Sequence, residues 1–325
     1  MYRSLCLTTD KVLQHELKQN ELQKVLATEG ALLWVDIDSV DEASEILLRD
    51  VFKFHPLAIE DALNERIETP KVDDYGTYLF IVAQSVEAPN PNERLQLKEL
   101  GLFLGENYVV SVHLKPIETV TALFDRVSQS GHMLARGADF LAHGIIDTMV
   151  DQLLPAVEEL DEQLSSLEQS ILERPDKQQL NEVLLLKRNT LRLRRSILPQ
   201  RDMVNRLSRG EFGALIRSDA LIFYRDVYDH VVRVEELLDG LRDLADSALS
   251  SYLSMVNNRM NEVMKAMSVV AVIFLPLTLI ASIFGTNLAF SAIGVTLKGG
   301  FVWMLVAMAL ITAVQIYFFR RRGWF

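Results

Sequence analysis

The sequence contains one cysteine, Cys6, in 325 residues. A lone thiol excludes a disulfide framework and fits a reducing compartment. Six histidines show no ligand-like spacing with Cys6 or with one another: His15, His55, His113, His132, His143 and His230. A glycine-rich loop of the kind that cradles phosphate is also missing. We therefore expect no catalytic centre and no tightly bound cofactor.

Acidic residues are missing from residues 266–325, whose only charges are Lys298 and the arginines at 320–322. The formal net charge of −11 for the whole chain therefore becomes −15 for residues 1–265, once these four cations are set aside. Such an acidic surface repels phosphates, so we exclude nucleic acid as a partner. It is compatible with attracting cations, although solubility alone is the simpler explanation.

Two stretches near the C-terminus carry no charge, one from residue 266 to 297 and one from 299 to 319. A helix of about 20 apolar residues crosses a hydrocarbon core of about 30 Å at 1.5 Å per residue. We therefore predict a first membrane span at 266–285 and a second at 300–319. Residues 286–299 form the segment between them.

The orientation follows from the arginines at 320–322, because cationic residues beside a span stay on the cytoplasmic side. The tail at 320–325 is therefore expected in the cytoplasm, and residues 286–299 in the periplasm. Two spans return the chain to its starting side, which places the N-terminal part in the cytoplasm as well. Asp10 and Glu16 lie where a signal peptide would need an apolar core, so none is expected.

Residues 1–145 alternate between strand-like and helix-like patterns and predict a cytoplasmic α/β domain. Four segments are typical of strands: 31–38, 78–87, 95–104 and 107–114. The last two flank Gly105 and Glu106, which is a hairpin signal. Residues 41–52 and 56–64 are predicted to be helical, the second with Pro56 in its first turn.

Residues 146–265 lack strand signals and predict a cytoplasmic helical stalk. Acidic and apolar residues alternate up to a break at Pro175 and Asp176, and a second helical pattern ends at Pro199. Two antiparallel helices are the simplest arrangement. From residue 218 to 284 the first proline is Pro276, so this stretch predicts one long helix that continues into the first span.

An apolar stripe follows this predicted helix at alternating steps of four and three: Val227, Val231, Val234, Leu238, Leu241, Ala245, Ala248, Tyr252 and Met255. Such a stripe needs partner helices. Packing against the preceding helices of the same chain and assembly around a symmetry axis both explain it. Continuity into a membrane span favours assembly.

Further along the same helix, one side is small or polar at several levels: Asn261, Met264, Ser268, Ala271, Leu275, Thr278 and Ser282. This pattern indicates either helix packing or a water-filled lumen inside a symmetric ring. Met260, Met264 and Met267 fit a hydrophobic constriction better than a soft-metal site. Pro276 has no N–H, so the carbonyl of Val272 needs water or a neighbouring side chain.

Asp226, Asp229 and His230 lie within about one turn of the long helix. Carboxylates and imidazole can hold a metal ion between subunits, whereas a solvated or ion-paired helix face explains the same residues more simply.

Six segments form a specific combination over nearly the whole chain: HPLAIEDALN (55–64), TPKVDDYGTYLFIV (69–82), YRDVYDH (224–230), NEVMK (261–265), FLPLTLIASIFGTN (274–287) and RRRGWF (320–325). In this order, before and within two C-terminal spans, they resemble the CorA-type divalent metal ion transporters. This family includes the zinc-transporting ZntB branch and is also called the two-span Gly-x-Asn family. The resemblance implies a homopentameric funnel in the bacterial inner membrane, with the lipid bilayer and divalent metal ions as further partners.

The resemblance also implies roles for individual residues. The first span of every subunit would line the pore, with a hydrophobic gate at Met267 and an outer selectivity ring at Asn287. The implied pore and selectivity positions are Asn261, Met264, Met267, Leu275, Thr278, Gly285, Thr286 and Asn287. Asp226 matches a regulatory metal position between subunits. Neutral amide and carbonyl oxygens can hold hydrated Mg²⁺ through its water molecules without trapping it.

The chain departs from the family pattern at three places. Thr286 replaces the methionine of the usual Gly-Met-Asn signature, and residues 286–299 have no acid but contain Lys298. Ser250 stands where a second carboxylate is expected. These departures move the prediction from strict magnesium selectivity toward a broad or zinc-like preference, with Zn²⁺ or Mg²⁺ as the main ion and Co²⁺ and Ni²⁺ also in range.

We therefore predict divalent cation transport through a homo-oligomeric pore. Passive permeation is slightly preferred to proton coupling, because the spans contain no Asp, Glu or His that could relay protons. The alternative is a non-conducting membrane scaffold or regulator that retains the fold, since a fold does not guarantee a function.

Overall fold

The computed structural model describes residues 2–39, 41–86, 93–285 and 297–324. It divides into two compact units, Met1–Leu249 and Ser250–Phe325. Seven strands are present in the described residues: β1 (Tyr2–Leu7), β2 (Leu13–His15), β3 (Leu32–Ile37), β4 (Lys71–Asp74), β5 (Tyr78–Val86), β6 (Leu97–Gly105) and β7 (Tyr108–Val112). The helices are α1 (Gln19–Leu26), α2 (Glu42–Ile46), α3 (Pro56–Leu63), α4 (Glu118–Ser130), α5 (Ala138–Asp151), α6 (Leu153–Glu173), α7 (Lys177–Ser208), α8 (Leu221–Gly285) and α9 (Leu297–Arg321).

The seven strands form one mixed sheet in the order β2-β1-β3-β7-β6-β5-β4. Only β3 and β7 pair in parallel, with Val35 opposite Val110, and the other pairs are antiparallel. The four strands predicted from the sequence are confirmed as β3, β5, β6 and β7. Leu104 lies opposite Val109, which confirms the hairpin after β6.

Gly105 has a steric role at this hairpin. A Cβ atom on this residue would clash with the ring of Tyr108, which would have to move. Glycine here therefore allows Tyr108 to lie directly against the turn between β6 and β7.

Both faces of the sheet are covered, so the domain has three layers. One face buries Val35, Phe80 and Phe103 in a cluster with residues of α1 and α3. The other face packs against helices that include α4, whose Phe124 ring lies 4.9 Å from Trp34. Burial on both sides explains why the central strands are nearly continuous apolar runs.

Helices α6 and α7 confirm the predicted break at Pro175 and Asp176. Asp176 starts α7, because its side chain accepts a hydrogen bond from the N–H of Lys177 at 2.5 Å. The predicted end at Pro199 is wrong, since α7 continues through this proline to Ser208. Buried residues on both sides of Pro199, including Ile197 and Met203, outweigh the loss of one backbone hydrogen bond.

The long helix predicted from residue 218 to 284 is confirmed as α8, which is 65 residues long and contains Pro276. In the part of the chain that the structure describes, two helices are long and apolar enough to cross a membrane: Leu221–Gly285 and Gly300–Arg321. This supports two membrane spans, while their end points stay predictions.

The apolar stripe on α8 is covered within the single chain from Val227 to Ala248, so the preference for assembly as its explanation is wrong there. Val227, Val231 and Leu238 have no exposed surface. Ion pairs join α7 and α8 at Lys187–Asp246 (2.5 Å), Arg194–Asp239 (2.7 Å) and Arg201–Glu235 (2.9 Å). Residue numbers rise along α7 as they fall along α8, so the two helices are antiparallel.

Candidate functional site

The predicted pore residues from Asn261 to Thr278 lie on one side of α8, within the unit Ser250–Phe325. Met264, Met267 and Leu275 are 60%, 70% and 71% exposed, and Asn261 and Thr278 are also exposed. Their steps of three and eight residues place them on one helical side because α8 is continuous here. The Thr278 hydroxyl donates to the carbonyl of Phe274 at 2.8 Å, so its oxygen keeps acceptor capacity.

The second span packs against a different side of α8, about a third of a turn away. Val269 and Phe319 are 6% and 7% exposed, which makes them the best-buried side chains of this unit that the structure describes after residue 252. Near the C-terminal end of α9, the Lys265 ammonium donates to the carbonyl of Gly323 at 3.1 Å. The ammonium also lies 5.6 Å from the Trp324 ring centre, which is a cation–π contact.

The carbonyl that Pro276 leaves without a helical partner is satisfied by a neighbouring side chain. The Nε2 atom of Gln315 on α9 donates to the carbonyl oxygen of Val272 at 3.0 Å. The sequence left water and a neighbouring side chain as alternatives, and the structure selects the side chain.

Gly285 is the last residue of α8 and is exposed. Thr286 and Asn287 lie outside the described residues, as do residues 288–296. The selectivity role of these residues therefore stays a prediction from the motif.

A second candidate site joins α5 and α8 in the unit Met1–Leu249. One ligand atom each of Asp147, Asp151 and His230 lies within 4.8 Å of the others. His230 Nδ1 is 3.6 Å from Asp151 Oδ1. We call these three residues the Asp-Asp-His cluster. Two carboxylates and one imidazole form a donor set that suits Zn²⁺, Co²⁺ or Ni²⁺ better than Mg²⁺, which prefers oxygen ligands.

Of this cluster, the sequence pattern indicates only His230, because Asp147 and Asp151 are about 80 residues away and meet it only in the fold. Asp226, predicted as a regulatory metal ligand, lies one helical turn before His230 and is exposed. It is not one of the three clustered groups. The available signal was the spacing of four residues within each pair, Asp147 with Asp151 and Asp226 with His230.

Burial shifts the pKa values of two side chains at the cluster, Asp147 and His143. Burial raises the pKa of the Asp147 carboxyl, and the nearby charges of Asp151 and Asp226 raise it further, while His143 and His230 act in the opposite direction. Burial also lowers the pKa of the His143 imidazole. Asp147 therefore carries its negative charge at a free-energy cost, which a bound cation would offset.

The family model described as "CorA-like Mg2+ transporter protein" matches residues 29–321. The chain belongs to this CorA-like family. It is 32% identical over 316 residues to the putative metal ion transporter YfjQ of Bacillus subtilis, with 96% of each chain covered. It is 30% identical to the cobalt/magnesium transport protein CorA of Thermotoga maritima, with 95% of this chain and 88% of that protein covered.

The fold of this CorA-like protein is also found in a solved structure, that of the complete CorA magnesium transporter from Methanocaldococcus jannaschii. The TM-score is 0.84 at 19% identity, with 100% of this chain and 99% of that chain covered. The predicted α/β domain, long helix and two C-terminal apolar helices are thereby confirmed. The CorA-like protein is a divalent metal ion transporter and not an enzyme.

Proposed function

We propose that the protein assembles as a homopentamer in the bacterial inner membrane and conducts divalent cations along the first span of each subunit. One observation carries this proposal. The side of α8 that holds Asn261, Met267 and Thr278 stays exposed, while α9 packs against another side. A ring of subunits would turn the exposed sides toward a common axis.

The chemistry along this side suits conduction rather than tight binding. Asn261 and Thr278 supply neutral oxygens that hold a hydrated cation weakly, and we assign the same role to Asn287 from the motif. Apolar side chains narrow the path at Met264, Met267 and Leu275. Such a constriction favours gating by dewetting of the pore.

Transport is passive in this proposal, because residues 266–325 contain no Asp, Glu or His to relay protons. Either Zn²⁺ or Mg²⁺ is the main ion, with Co²⁺ and Ni²⁺ also accepted. Thr286 in the signature tripeptide and Lys298 in place of acids argue against strict magnesium selectivity. Both termini lie in the cytoplasm, since the arginines at 320–322 follow the second span.

A regulatory cation is proposed at the Asp-Asp-His cluster, with Asp226 as an additional ligand. The four side chains come from α5 and α8, the helix that continues into the first span. Occupancy of the cluster would therefore act on the helix that carries the conduction path.

The test uses the purified oligomer in liposomes that contain a metal-sensitive dye. Zn²⁺, Mg²⁺, Co²⁺ and Ni²⁺ are added one at a time to wild type, Asn261→Ala and Asn287→Ala. The matched control is Asn258→Ala, because Asn258 is exposed on the same helix but lies on another side. We expect wild type and control to take up at least one ion, and uptake to fall by roughly tenfold in the other two variants.

Equal uptake by all variants would contradict the proposed path. Folded wild-type oligomers that admit none of the four ions would contradict conduction itself and favour the alternative of a membrane scaffold or regulator.

A further inference from the structure

Pro276 interrupts the hydrogen-bond pattern of α8 inside the first span. A proline has no N–H, so the carbonyl four residues earlier, that of Val272, loses its helical partner. The side chain of Gln315 replaces it, with Nε2 at 3.0 Å from the Val272 oxygen. Within a hydrocarbon core water does not supply such a bond, so the carbonyl depends on the protein.

Gln315 is the only amide side chain between residues 300 and 319. The other hydrogen-bonded side chain that the structure describes there is Thr312, which donates to the carbonyl of Met308 in its own helix at 2.8 Å. The Thr312 hydroxyl therefore has its hydrogen-bond partner within α9, whereas the Gln315 amide forms a hydrogen bond between the two spans. An amide in the hydrocarbon region is costly unless it forms hydrogen bonds, and here its donor meets the carbonyl that Pro276 leaves free.

The Gln315 bond belongs to a row of residues along one side of α8. Lys265 donates to the carbonyl of Gly323, Val269 is buried, and Val272 accepts from Gln315, at steps of four and three residues. Of the two hydrogen bonds in this row, the Gln315 bond is the nearer to Pro276. It therefore acts where the first span is weakest and adjoins the segment from Pro276 to Gly285.

We propose that Gln315 is a positioning residue for ion conduction: its amide holds the carbonyl freed by Pro276 and fixes the outer segment of the first span, with Thr278 and Gly285, against the second span. This inference rests on the proposed function. Gln315 does not touch the ion, because it contacts the side of α8 that faces the second span.

The experiment is a double-mutant cycle on the full-length oligomer. Gln315→Met removes the amide with little change in side-chain length, and Pro276→Ala restores the N–H that serves Val272. Thr312→Val is the matched control, since it removes a polar group of α9 that bonds only within its own helix. The measurements are thermal unfolding of the purified oligomer and uptake of Zn²⁺ and of Mg²⁺, each alone, per folded oligomer in liposomes.

We expect Gln315→Met to lower Tm and to lower uptake at saturating ion about threefold to tenfold. In the Pro276→Ala background the same change should have little further effect on either, because Val272 then has a helical partner. Thr312→Val should leave uptake per folded oligomer close to that of wild type.

Effects of Gln315→Met that are equal in the two backgrounds would overturn the inference, as would unchanged uptake per folded oligomer beside a lowered Tm. Failure of the proposed function has a different signature. In that case folded wild-type oligomers take up neither ion, and a positioning role in conduction is refuted as well. The double-mutant cycle measured by Tm still decides whether the bond between Gln315 and Val272 exists.

Discussion

Arg201 of α7 holds Glu235 of α8 through a single guanidinium nitrogen: Nη1 lies 3.0 Å from Oε1 and 2.9 Å from Oε2. Glu235 is largely buried at this contact. The pair therefore helps to fix the register of α8 against α7, in the part of α8 that precedes the first predicted span.

A charge exchange tests this register. Arg201→Glu places two carboxylates together and should lower the free energy of unfolding by about 1–2 kcal/mol. The double variant Arg201→Glu with Glu235→Arg should recover most of that loss in thermal unfolding. Arg188→Glu, at an exposed position of the same helix, is the control and should change little. A double variant no more stable than the single one would refute a direct pair.

The raised pKa of Glu99 in β6 predicts how the free energy of unfolding changes with pH. Burial raises the pKa of its carboxyl to about 7, although the N–H of Glu68, which donates to Glu99, acts in the opposite direction. The folded protein therefore keeps this proton at pH values where the unfolded chain has lost it. Between pH 4.5 and 7 the free energy of unfolding should fall by roughly 1–2 kcal/mol, less than the full shift implies because water reaches part of the side chain.

Glu99→Gln keeps the acceptor oxygen and removes the titration, so this variant should lose that decrease in a pH series of thermal unfolding. Glu106→Gln, exposed between β6 and β7, should retain it. The same pH slope in wild type and Glu99→Gln would show that another group is responsible.

Asp139 is a buried carboxylate at the start of α5 that pairs with Arg217. Its oxygens accept from Arg217 Nη2 at 2.6 Å and Nε at 2.9 Å, and its side chain is 3% exposed against 54% for Arg217. Arg217→Met leaves the carboxylate without its cation and should destabilise the protein by about 2–3 kcal/mol. Arg217→Lys should cost less, since it keeps the charge but not the two-pronged geometry. Equal losses in both variants would contradict a role for the charge.

Much of the fold was predictable, because the central strands are buried on both faces and therefore appear as continuous apolar runs. The strands missing from the prediction are β1, β2 and β4. β2 has three residues and β4 has four, and both lie at the sheet edges, too short for a period of two to stand out. β1 has six residues and lies inside the sheet, but its adjacent polar residues Arg3 and Ser4 break both an apolar run and a strict alternation. The helix end predicted at Pro199 was wrong because packing on both sides of this proline keeps α7 intact.

In the candidate sites, too, features that depend on neighbouring residues in the sequence were predictable, and contacts between residues far apart in the sequence were not. Pro276 alone requires that the Val272 carbonyl find a new partner, which the sequence predicted. The identity of that partner, Gln315, depends on how two spans pack, and no local pattern contains it. Asp147 and Asp151 were missed as neighbours of His230 for the same reason.

The Asp-Asp-His cluster predicts metal-dependent stability. An ion that binds the folded state alone adds about 2.7 kcal/mol at a free concentration 100 times its Kd. Zn²⁺ should therefore raise the Tm of the purified protein, and His230→Ala should remove most of that rise. Asp226→Asn should weaken it, and Asp229→Asn, next to His230 but outside the cluster, should not. An equal rise in Tm for wild type and His230→Ala would place the ion elsewhere.

The exposed side of the first span can be mapped with introduced thiols, because the native one does not interfere. Cys6 has no exposed surface, and burial raises the pKa of its thiol, so it stays protonated and unreactive. Thr278→Cys and Leu277→Cys place a thiol at nearly the same depth but on sides of α8 about 100° apart. In membranes, a charged, water-soluble thiol reagent should modify Thr278→Cys much faster, and that modification should block Zn²⁺ or Mg²⁺ uptake. Faster modification at Leu277→Cys would place the conduction path on another side of the helix and refute the assignment of Thr278 to that path.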